Sequence, residues 1–272
     1  MPVFANHVHL FPDWMRPDGT LAAFQRTMDH VGIDRAVLFA PFPHRWEEAR
    51  GDATPGACNR WLAEEIAGQP EFVGYGTVDF RPTAPPMRDQ VKQIAHLGLR
   101  GLKLHPAVQS FRIDGPTTIE ACAAAGEHHL VVSWHTGVHH HALADDHPVL
   151  LDNVTHAAPE TRMVFEHAGG WHYYRDVVAV IQNNRLGKAP PKHFAGITTV
   201  LDPVRFRGWY LGPQVLGELR WQLGDDSLIY GTDFPHNDAA RIAEDLSIIR
   251  ALDWPGESIA ALLGGNLAAL LT

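Results

Sequence analysis

Eight short apolar runs alternate with amphipathic stretches from one end of the chain to the other. The apolar runs lie at 3–8, 36–39, 72–78, 101–104, 130–134, 163–165, 194–198 and 228–230. The stretches with helical spacing lie at 21–31, 59–67, 87–97, 117–125, 149–157, 176–182, 215–223 and 239–252. Such alternation is typical of repeated βα units with a parallel sheet. Eight units in 272 residues predict a single-domain (β/α)8 TIM barrel over 1–272, with a short helix at 264–271 closing its rim.

Polar residues of unusual type end five of these runs. They are His7, His9, His105, His135, His167 and Asp233. In such a barrel the active site lies at the C-terminal ends of the strands. A single histidine there is commonly a structural residue, and a single aspartate is commonly a helix N-cap. Several together favour a metal site, because neutral imidazoles and carboxylates are ligands that divalent metals select.

Alternation along each strand predicts which side chains face the barrel interior. On a regular strand, every second side chain points to the same side. Ala5, His7 and His9 are therefore expected to share the inner side of the first strand. Lys103 is expected to point inward, whereas Glu166 is expected to point outward and pair within the helix layer.

Charge and cysteine content exclude several classes of partner. Lys+Arg number 22 and Asp+Glu 31, a net charge of −9 with no basic block, which argues against nucleic acid and anionic membranes. Cys58 and Cys122 provide neither a disulfide framework nor a cysteine-rich metal site. No basic leader and no apolar run of about 20 residues occurs, so we expect a soluble, unprocessed, cytoplasmic protein. The chain is unusually rich in histidine, with 18 in 272 residues, and this favours a search for a metal site.

Six motifs in order along the chain resemble the amidohydrolase superfamily. They are His7-Val8-His9, 101–106 (GLKLHP), His135-Thr136-Gly137, 167–170 (HAGG), 231–235 (GTDFP) and 264–268 (GGNLA). The resemblance is to the branch called amidohydrolase family 2, which includes aminocarboxymuconate-semialdehyde decarboxylase and related decarboxylases. Because the ordered set spans nearly the whole chain, it is far more specific than any single motif.

The resemblance implies a mononuclear metal centre. In this family pattern, His7, His9, His135 and Asp233 hold one divalent ion, while His167 stays off the metal and faces the substrate. Zn²⁺ is the commonest occupant, and some decarboxylases use Mn²⁺. The chain departs from the pattern at one place, since the position two before the first histidine is usually acidic and here is Ala5.

Three imidazoles and one carboxylate leave a divalent metal an open position for water. Asp233 is then expected to take the proton from that water and later deliver it to the leaving group. His167 is expected to polarise the substrate carbonyl or stabilise the developing oxyanion. This chemistry is hydrolysis of an amide, ester or lactone of a small organic acid.

Lys103 introduces a variant of this site within the same superfamily. In some relatives a carboxylated lysine at the end of strand four bridges two metals. Here Lys103 is followed by His105-Pro106, as in mononuclear relatives. We therefore expect one metal, with Lys103 as an anion-binding or structural charge.

Two other functions stay open from the sequence. A non-oxidative decarboxylase would use the same metal and would need a cation for the substrate carboxylate, for which Arg45 and Lys103 are candidates. A metal-binding barrel without catalysis is the third reading, in which the metal stabilises the fold.

The loops after strands two and five suggest a small polar or carboxylated substrate. They carry aromatic, arginine and histidine residues, namely Phe42, His44, Arg45, Trp46 and 139–141. Trp171 is expected either to pack at the rim or to serve as a substrate platform. The sequence leaves open which molecule binds and whether the chain forms a homo-oligomer.

Overall fold

Eight parallel strands form a closed barrel in which each strand pairs with the next along the chain and β8 pairs with β1. The computed structural model describes residues 2–185, 187 and 190–272. The strands are β1 (Phe4–His9), β2 (Arg35–Phe39), β3 (Phe72–Gly76), β4 (Gly101–Leu104), β5 (Val131–His135), β6 (Arg162–Glu166), β7 (His193–Ile197) and β8 (Leu228–Phe234). The predicted single-domain (β/α)8 TIM barrel is therefore confirmed, and all eight predicted strands are present.

Most of the helices surround the barrel on its outer side, and the last of them lies across one end. They are α1 (Leu21–Val31), α2 (Pro43–Arg50), α3 (Ala57–Glu65), α4 (Met87–His96), α5 (Pro106–Gln109), α6 (Pro116–Glu127), α7 (Leu143–Asp146), α8 (Leu151–Ala157), α9 (Gly170–Asn183), α10 (Gly212–Leu223), α11 (Ala239–Arg250), α12 (Gly256–Ala260) and α13 (Asn266–Leu271). The eight predicted helices correspond to α1, α3, α4, α6, α8, α9, α10 and α11. The sequence pattern missed α2 because it buries only Trp46 and has no apolar stripe.

Capping residues fix where the helices start and stop. The Thr20 hydroxyl accepts a hydrogen bond from the backbone N–H of Ala23 at the start of α1, and Gly32 ends that helix in the left-handed conformation. At the start of α11 the capping carboxylate belongs to Asp238. Asp233 is therefore not the N-cap of this helix.

The C-terminal helix closes the end of the barrel opposite the cavity described below. Leu267 and Leu270 of α13 pack with Phe4, Val37 and other side chains from the N-terminal halves of the strands. These residues form an apolar plug inside the barrel, which leaves only its other end open for chemistry. No helix in the described ranges is both long and apolar enough to cross a membrane.

Left-handed backbone in β1, in β8 and directly after β6 interrupts regular alternation, and this corrects two of the predicted side-chain directions. In β1 the pairing register shifts between Ala5 and Val8, and His7 has a left-handed φ of 63°. Because of this bulge, Phe4 rather than Ala5 lies in the interior plug, while Ala5 joins the outer layer with the helices. The expectation that Ala5 shares the inner side with His7 and His9 is wrong.

The direction predicted for Glu166 is also wrong. On β6 it is Val164 that lies in the interior plug, whereas Met163 and Phe165 pack in the outer layer. Alternation therefore turns Glu166 inward, where it is fully buried. His167 also reaches the interior because the strand ends at Glu166 and His167 has a φ of 62°. Side-chain directions predicted from strict alternation are therefore wrong next to this left-handed residue.

Candidate metal centre

A cavity of about 640 Å³ opens at the C-terminal ends of the strands. The five residues proposed from the sequence as ligands or catalytic groups, His7, His9, His135, His167 and Asp233, all line it. They come from β1, β5, β8 and the turn after β6. The barrel thus brings side chains separated by more than two hundred residues into one cavity.

Three of these residues converge closely. The Nε2 atoms of His7 and His9 are 3.1 Å apart, and Asp233 Oδ1 lies 3.4 Å from the first and 3.5 Å from the second. Ligand atoms about 2.0–2.1 Å from a tetrahedral zinc ion lie about 3.3 Å from one another. The three side chains therefore fit three corners of a divalent metal site.

Local backbone geometry produces this convergence. His7 and Asp233 both have left-handed φ angles, 63° and 57°. Such a conformation costs roughly 1–2 kcal/mol for a residue with a Cβ, so the surrounding barrel must hold it. Between the two strands, Gly231 makes room, because a Cβ there would collide with Thr198 Oγ1 and lie 2.9 Å from the Cβ of His7. A glycine at this position lets β8 approach β1 closely.

His135 lies in the same cavity but belongs to a second cluster. In the described ranges, its ligand atoms fall within 4.8 Å of those of His105 and His139, and the structure does not place it in the group of His7, His9 and Asp233. Its ring stacks on His105 with centroids 3.7 Å apart and an interplanar angle of 8°. The nitrogen lone pairs of two stacked rings lie in two parallel planes and do not converge on one point, so this pair is poorly arranged to share one ion.

The Nε2 atom of His135 is buried and has no hydrogen-bond partner among the described residues. The ring lies 4.7 Å from that of His167, which in turn lies 5.0 Å from that of His7. A buried polar nitrogen without a partner costs free energy. An ion coordinated by His135 would satisfy it.

His167 is oriented by the backbone. Its Nδ1 lies 2.9 Å from the carbonyl oxygen of Thr198. Because a carbonyl oxygen only accepts hydrogen bonds, Nδ1 carries the proton, and Nε2 of the neutral ring is an acceptor. Neutral His167 thus cannot donate a hydrogen bond from Nε2 to a carbonyl or oxyanion. The role expected from the sequence, polarising the substrate carbonyl or stabilising the oxyanion, is therefore open only to the protonated ring.

Burial sets the charge state of the cluster. It lowers the pKa of His9 and His167 to about 4 and that of His7 and His135 well below the usual range. For Asp233, burial alone would raise the pKa, but the neighbouring imidazoles of His7, His9 and His167 hold it well below its usual range. At neutral pH the cluster therefore contains neutral imidazoles and one carboxylate, the forms that bind metals.

Lys103 points inward as predicted and lies beneath the cluster, fully buried. Its Nζ is 3.5 Å from His7 Nε2 and 5.0 Å from the centre of the Phe39 ring. Burial lowers the pKa of Lys103 to about 8, and burial raises the pKa of Glu166. Lys103 does not line the cavity, so it can influence the site by its charge while a substrate in the cavity does not touch it.

The outer wall of the cavity contains residues that the sequence did and did not identify. Arg45 lines it, with its side chain 60% exposed and paired with Glu48 at 3.0 Å. Trp171 is 56% exposed and lies outside the wall. Trp209 takes the aromatic position instead, with its ring 4.9 Å from that of His167. No sequence pattern identifies Trp209, because it lies in a loop without periodicity.

Arg16 is a second missed wall residue. It lies in the loop after β1, pairs with Asp18 at 3.0 Å and donates a hydrogen bond to the carbonyl oxygen of Pro235 at 3.3 Å. Arg16 follows the apolar segment 10–12, and nothing in the neighbouring sequence distinguishes it from an ordinary surface arginine. Its position depends on the hydrogen bond to Pro235, which lies 219 residues further along the chain, directly after β8.

A histidine-rich candidate metal site at the C-terminal ends of the strands is the arrangement found in metal-dependent barrel enzymes. The family model described as amidohydrolase matches residues 6–271. The chain belongs to the amidohydrolase family.

Solved structures with the same fold include enzymes of two reaction types. They are 5-carboxyvanillate decarboxylase LigW from Sphingomonas paucimobilis (16% identity, TM-score 0.71, 99% of this chain and 98% of that chain) and a putative 2-pyrone-4,6-dicarboxylic acid hydrolase from Pseudomonas putida (18%, 0.69, 99% and 97%). A dihydroxybenzoic acid decarboxylase from Polaromonas sp. JS666, solved with manganese and 2-nitroresorcinol, is also similar (16%, 0.66, 99% and 96%). At these identities the likeness concerns the fold. No curated protein matches the sequence.

Proposed function

We propose that the chain, over 1–272, is a metal-dependent hydrolase that acts on an amide, ester or lactone of a small organic acid. The observation that carries this proposal is the convergence of His7, His9 and Asp233, within 3.1–3.5 Å of one another, beside His167 in the wall of one cavity. A ligand cluster next to a free imidazole nitrogen is what hydrolysis by activated water requires.

The proposed cofactor is one divalent ion, Zn²⁺ in the first place and Mn²⁺ as the alternative. His7, His9 and Asp233 would hold it, and His135 would complete the set, which its buried Nε2 without a partner supports. The manganese in the Polaromonas decarboxylase supports a divalent ion in this fold. Bound there, such an ion would act as a Lewis acid on a carbonyl and lower the pKa of water.

Asp233 is the proposed proton acceptor. Its Oδ1 lies toward the two Nε2 atoms of His7 and His9, while Oδ2 accepts a hydrogen bond from Thr199 Oγ1 at 2.9 Å. Asn237 in turn donates to Thr199 Oγ1 at 3.2 Å. The hydroxyl fixes the carboxylate plane, so that Asp233 can take a proton from the attacking water and return it to the leaving group.

His167 is proposed to orient the water by accepting its hydrogen at Nε2. The Thr198 carbonyl holds Nδ1 and so fixes the ring. Asp233 can pass the water's proton to Nε2, and the imidazolium then donates to the oxyanion before it returns the proton for the leaving group, which restores the stabilising role that the sequence suggested.

Lys103 is proposed to keep the site mononuclear. Its Nζ, 3.5 Å from His7 Nε2 and fully buried, already places one positive charge beside the cluster. A second cation close to it would be repelled. Lys103 then acts as a structural charge.

The cavity supports a small, carboxylated substrate with an apolar body. Phe42, Phe206 and Trp209 provide apolar wall surface, and Arg45 and Arg16 bring guanidinium groups to the same wall. Arginine binds carboxylates through paired hydrogen bonds. We therefore propose Arg45 as the first carboxylate contact, with Arg16 as a further candidate.

Decarboxylation is the second candidate function. The arginines in the cavity wall favour it, because a decarboxylase must hold the carboxylate that is lost. Two of the similar structures are decarboxylases of aromatic acids, which supports the same chemistry on this fold.

Product mass separates the two reactions. Protein reconstituted with Zn²⁺ or Mn²⁺ is incubated with lactones, esters, amides and aromatic or unsaturated acids, each ester and lactone in carboxylated and uncarboxylated form. We expect the product to gain one water, and kcat/KM to be higher for the carboxylated member of each pair. Release of carbon dioxide without gain of water would instead establish the decarboxylase.

A further inference from the structure

Glu166 lies at the centre of a polar layer directly beneath the proposed metal centre. Its side chain is fully buried. Oε1 accepts hydrogen bonds from Asn6 Nδ2 at 2.6 Å and Ser133 Oγ at 2.7 Å, and Oε2 accepts one from Thr198 Oγ1 at 3.2 Å. Strands β1 and β5 and the residue that follows β7 thus all direct donors at one carboxylate of β6.

The carboxylate occupies space that a side chain at position 196 of β7 would otherwise fill. A Cβ on Gly196 of β7 would collide with Glu166 Oε2 and lie 2.9 Å from the Cα of Glu166. Any larger residue at position 196 would displace the carboxylate. The three donors satisfy most acceptor sites of this buried carboxylate and hold both of its oxygens in fixed positions.

The contact that distinguishes Glu166 from a merely solvated charge is the one with His7. The bulge in β1 turns both Asn6 and His7 toward the interior, so that they face the two oxygens of the same carboxylate. Glu166 Oε2 lies 3.0 Å from His7 Nδ1. This nitrogen is buried, and no described residue, Glu166 included, meets hydrogen-bond angles with it, so the contact with Glu166 is an electrostatic one at hydrogen-bond distance.

We propose that Glu166 is a positioning residue that holds His7 with the proton on Nδ1 and thereby presents the Nε2 lone pair to the metal. A carboxylate oxygen 3.0 Å away repels a nitrogen lone pair and attracts an N–H, so it favours the tautomer with the proton on Nδ1. Nε2 is then unprotonated at the point where it meets His9 Nε2 and Asp233 Oδ1. A carboxylate behind a metal-binding imidazole fixes its tautomer and orientation. The inference rests on the proposed ligand role of His7.

The Glu166→Gln substitution is expected to move the proton of His7 from Nδ1 to Nε2, with little change in the size of the side chain at position 166. Two donors, from Asn6 and Ser133, meet at the Oε1 position, so they orient the new amide with its carbonyl oxygen toward them. The amide NH2 then lies beside His7 Nδ1 and favours a lone pair there. Nε2 takes the proton and can no longer bind a metal.

Metal affinity is the first readout. Zinc dissociation constants are measured by chelator competition for wild type, Glu166→Gln and Ser133→Ala. The Ser133 variant is the matched control, because it removes a donor to Oε1 and leaves the Oε2–His7 contact intact. We expect Glu166→Gln to bind zinc about 10- to 100-fold more weakly and the control to bind within a few fold of wild type. Equal losses in both variants would overturn the proposal, because the effect would then be general packing.

The tautomer of His7 is the second readout and needs neither metal nor substrate. Nitrogen-15 chemical shifts of metal-free wild type, assigned with His7→Gln, should show a proton on Nδ1, and Glu166→Gln should shift it to Nε2. A proton on Nε2 in the wild type would overturn the proposal even if the Glu166 variant does not fold. Failure of wild type to bind zinc would contradict the proposed metal centre separately.

Discussion

The Asp233→Asn variant is expected to lose about 10³-fold or more in kcat while it keeps the wild-type fold. Asparagine has nearly the same shape, and its amide oxygen can still accept the hydrogen bond that Thr199 Oγ1 donates to Oδ2. The change removes the only carboxylate in the group with His7 and His9. The variant thus loses both a charged ligand and the proposed proton acceptor.

The measurement is steady-state turnover with the substrate found in the product-mass screen, together with circular dichroism and thermal unfolding. Asp89→Asn is the control, since Asp89 is exposed in the first turn of α4. It should leave kcat and the melting temperature unchanged. Near-normal turnover of the Asp233 variant would contradict the role assigned to this carboxylate.

His167→Asn should lower kcat by about 10²- to 10⁴-fold, the usual contribution of a general acid–base group. The asparagine NH2 can replace Nδ1 as the donor to the Thr198 carbonyl, so the local hydrogen bond survives. No atom of the amide takes a proton near neutral pH, and the acceptor at Nε2 is lost. Zinc binding should persist, because His167 is proposed to stay off the metal.

Turnover and zinc affinity of this variant are measured side by side. His30→Asn serves as the control, since His30 is exposed in the last turn of α1. If zinc affinity falls as far as turnover, His167 is a ligand and its proposed role is wrong. If turnover is unaffected, the neighbouring Asp233 must carry the proton transfer alone.

The barrel could be predicted from the sequence because each βα unit has its own local signal. Apolar runs of three to seven residues followed by helical spacing identify all eight strands, and the same spacing identifies the main helices. The missed elements are short or lack an apolar stripe, as α2 shows. The position of α13 against Phe4 at the closed end depends on contacts between distant residues, and periodicity does not encode these.

The contents of the cavity could be predicted for residues at strand ends and not for residues in loops. His7, His9, His135, His167 and Asp233 all line it, because the ends of parallel strands meet at one face. Trp209 and Arg16 reach the same wall through loop conformations that no pattern specifies. Trp171, which the sequence predicts either to pack at the rim or to serve as a substrate platform, lies outside this wall.

The predicted orientation of Glu166 is wrong for a different reason. Alternation assumes a regular strand, and counting back from His167 assigns Glu166 to the outside. The left-handed backbone at His167 and the bulge at His7 break this rule at the two places where ligands and bases are needed. Such irregularities place consecutive side chains on the same face, which a regular strand cannot do.

The most direct test of the metal centre is the number of divalent ions bound per folded chain, with circular dichroism recorded before and after chelation. One equivalent of zinc or manganese, lost on chelation together with activity and restored by adding the ion to a still-folded protein, is the predicted result. Two equivalents, no ion at all, or unfolding on chelation would contradict a mononuclear catalytic centre at His7, His9, His135 and Asp233.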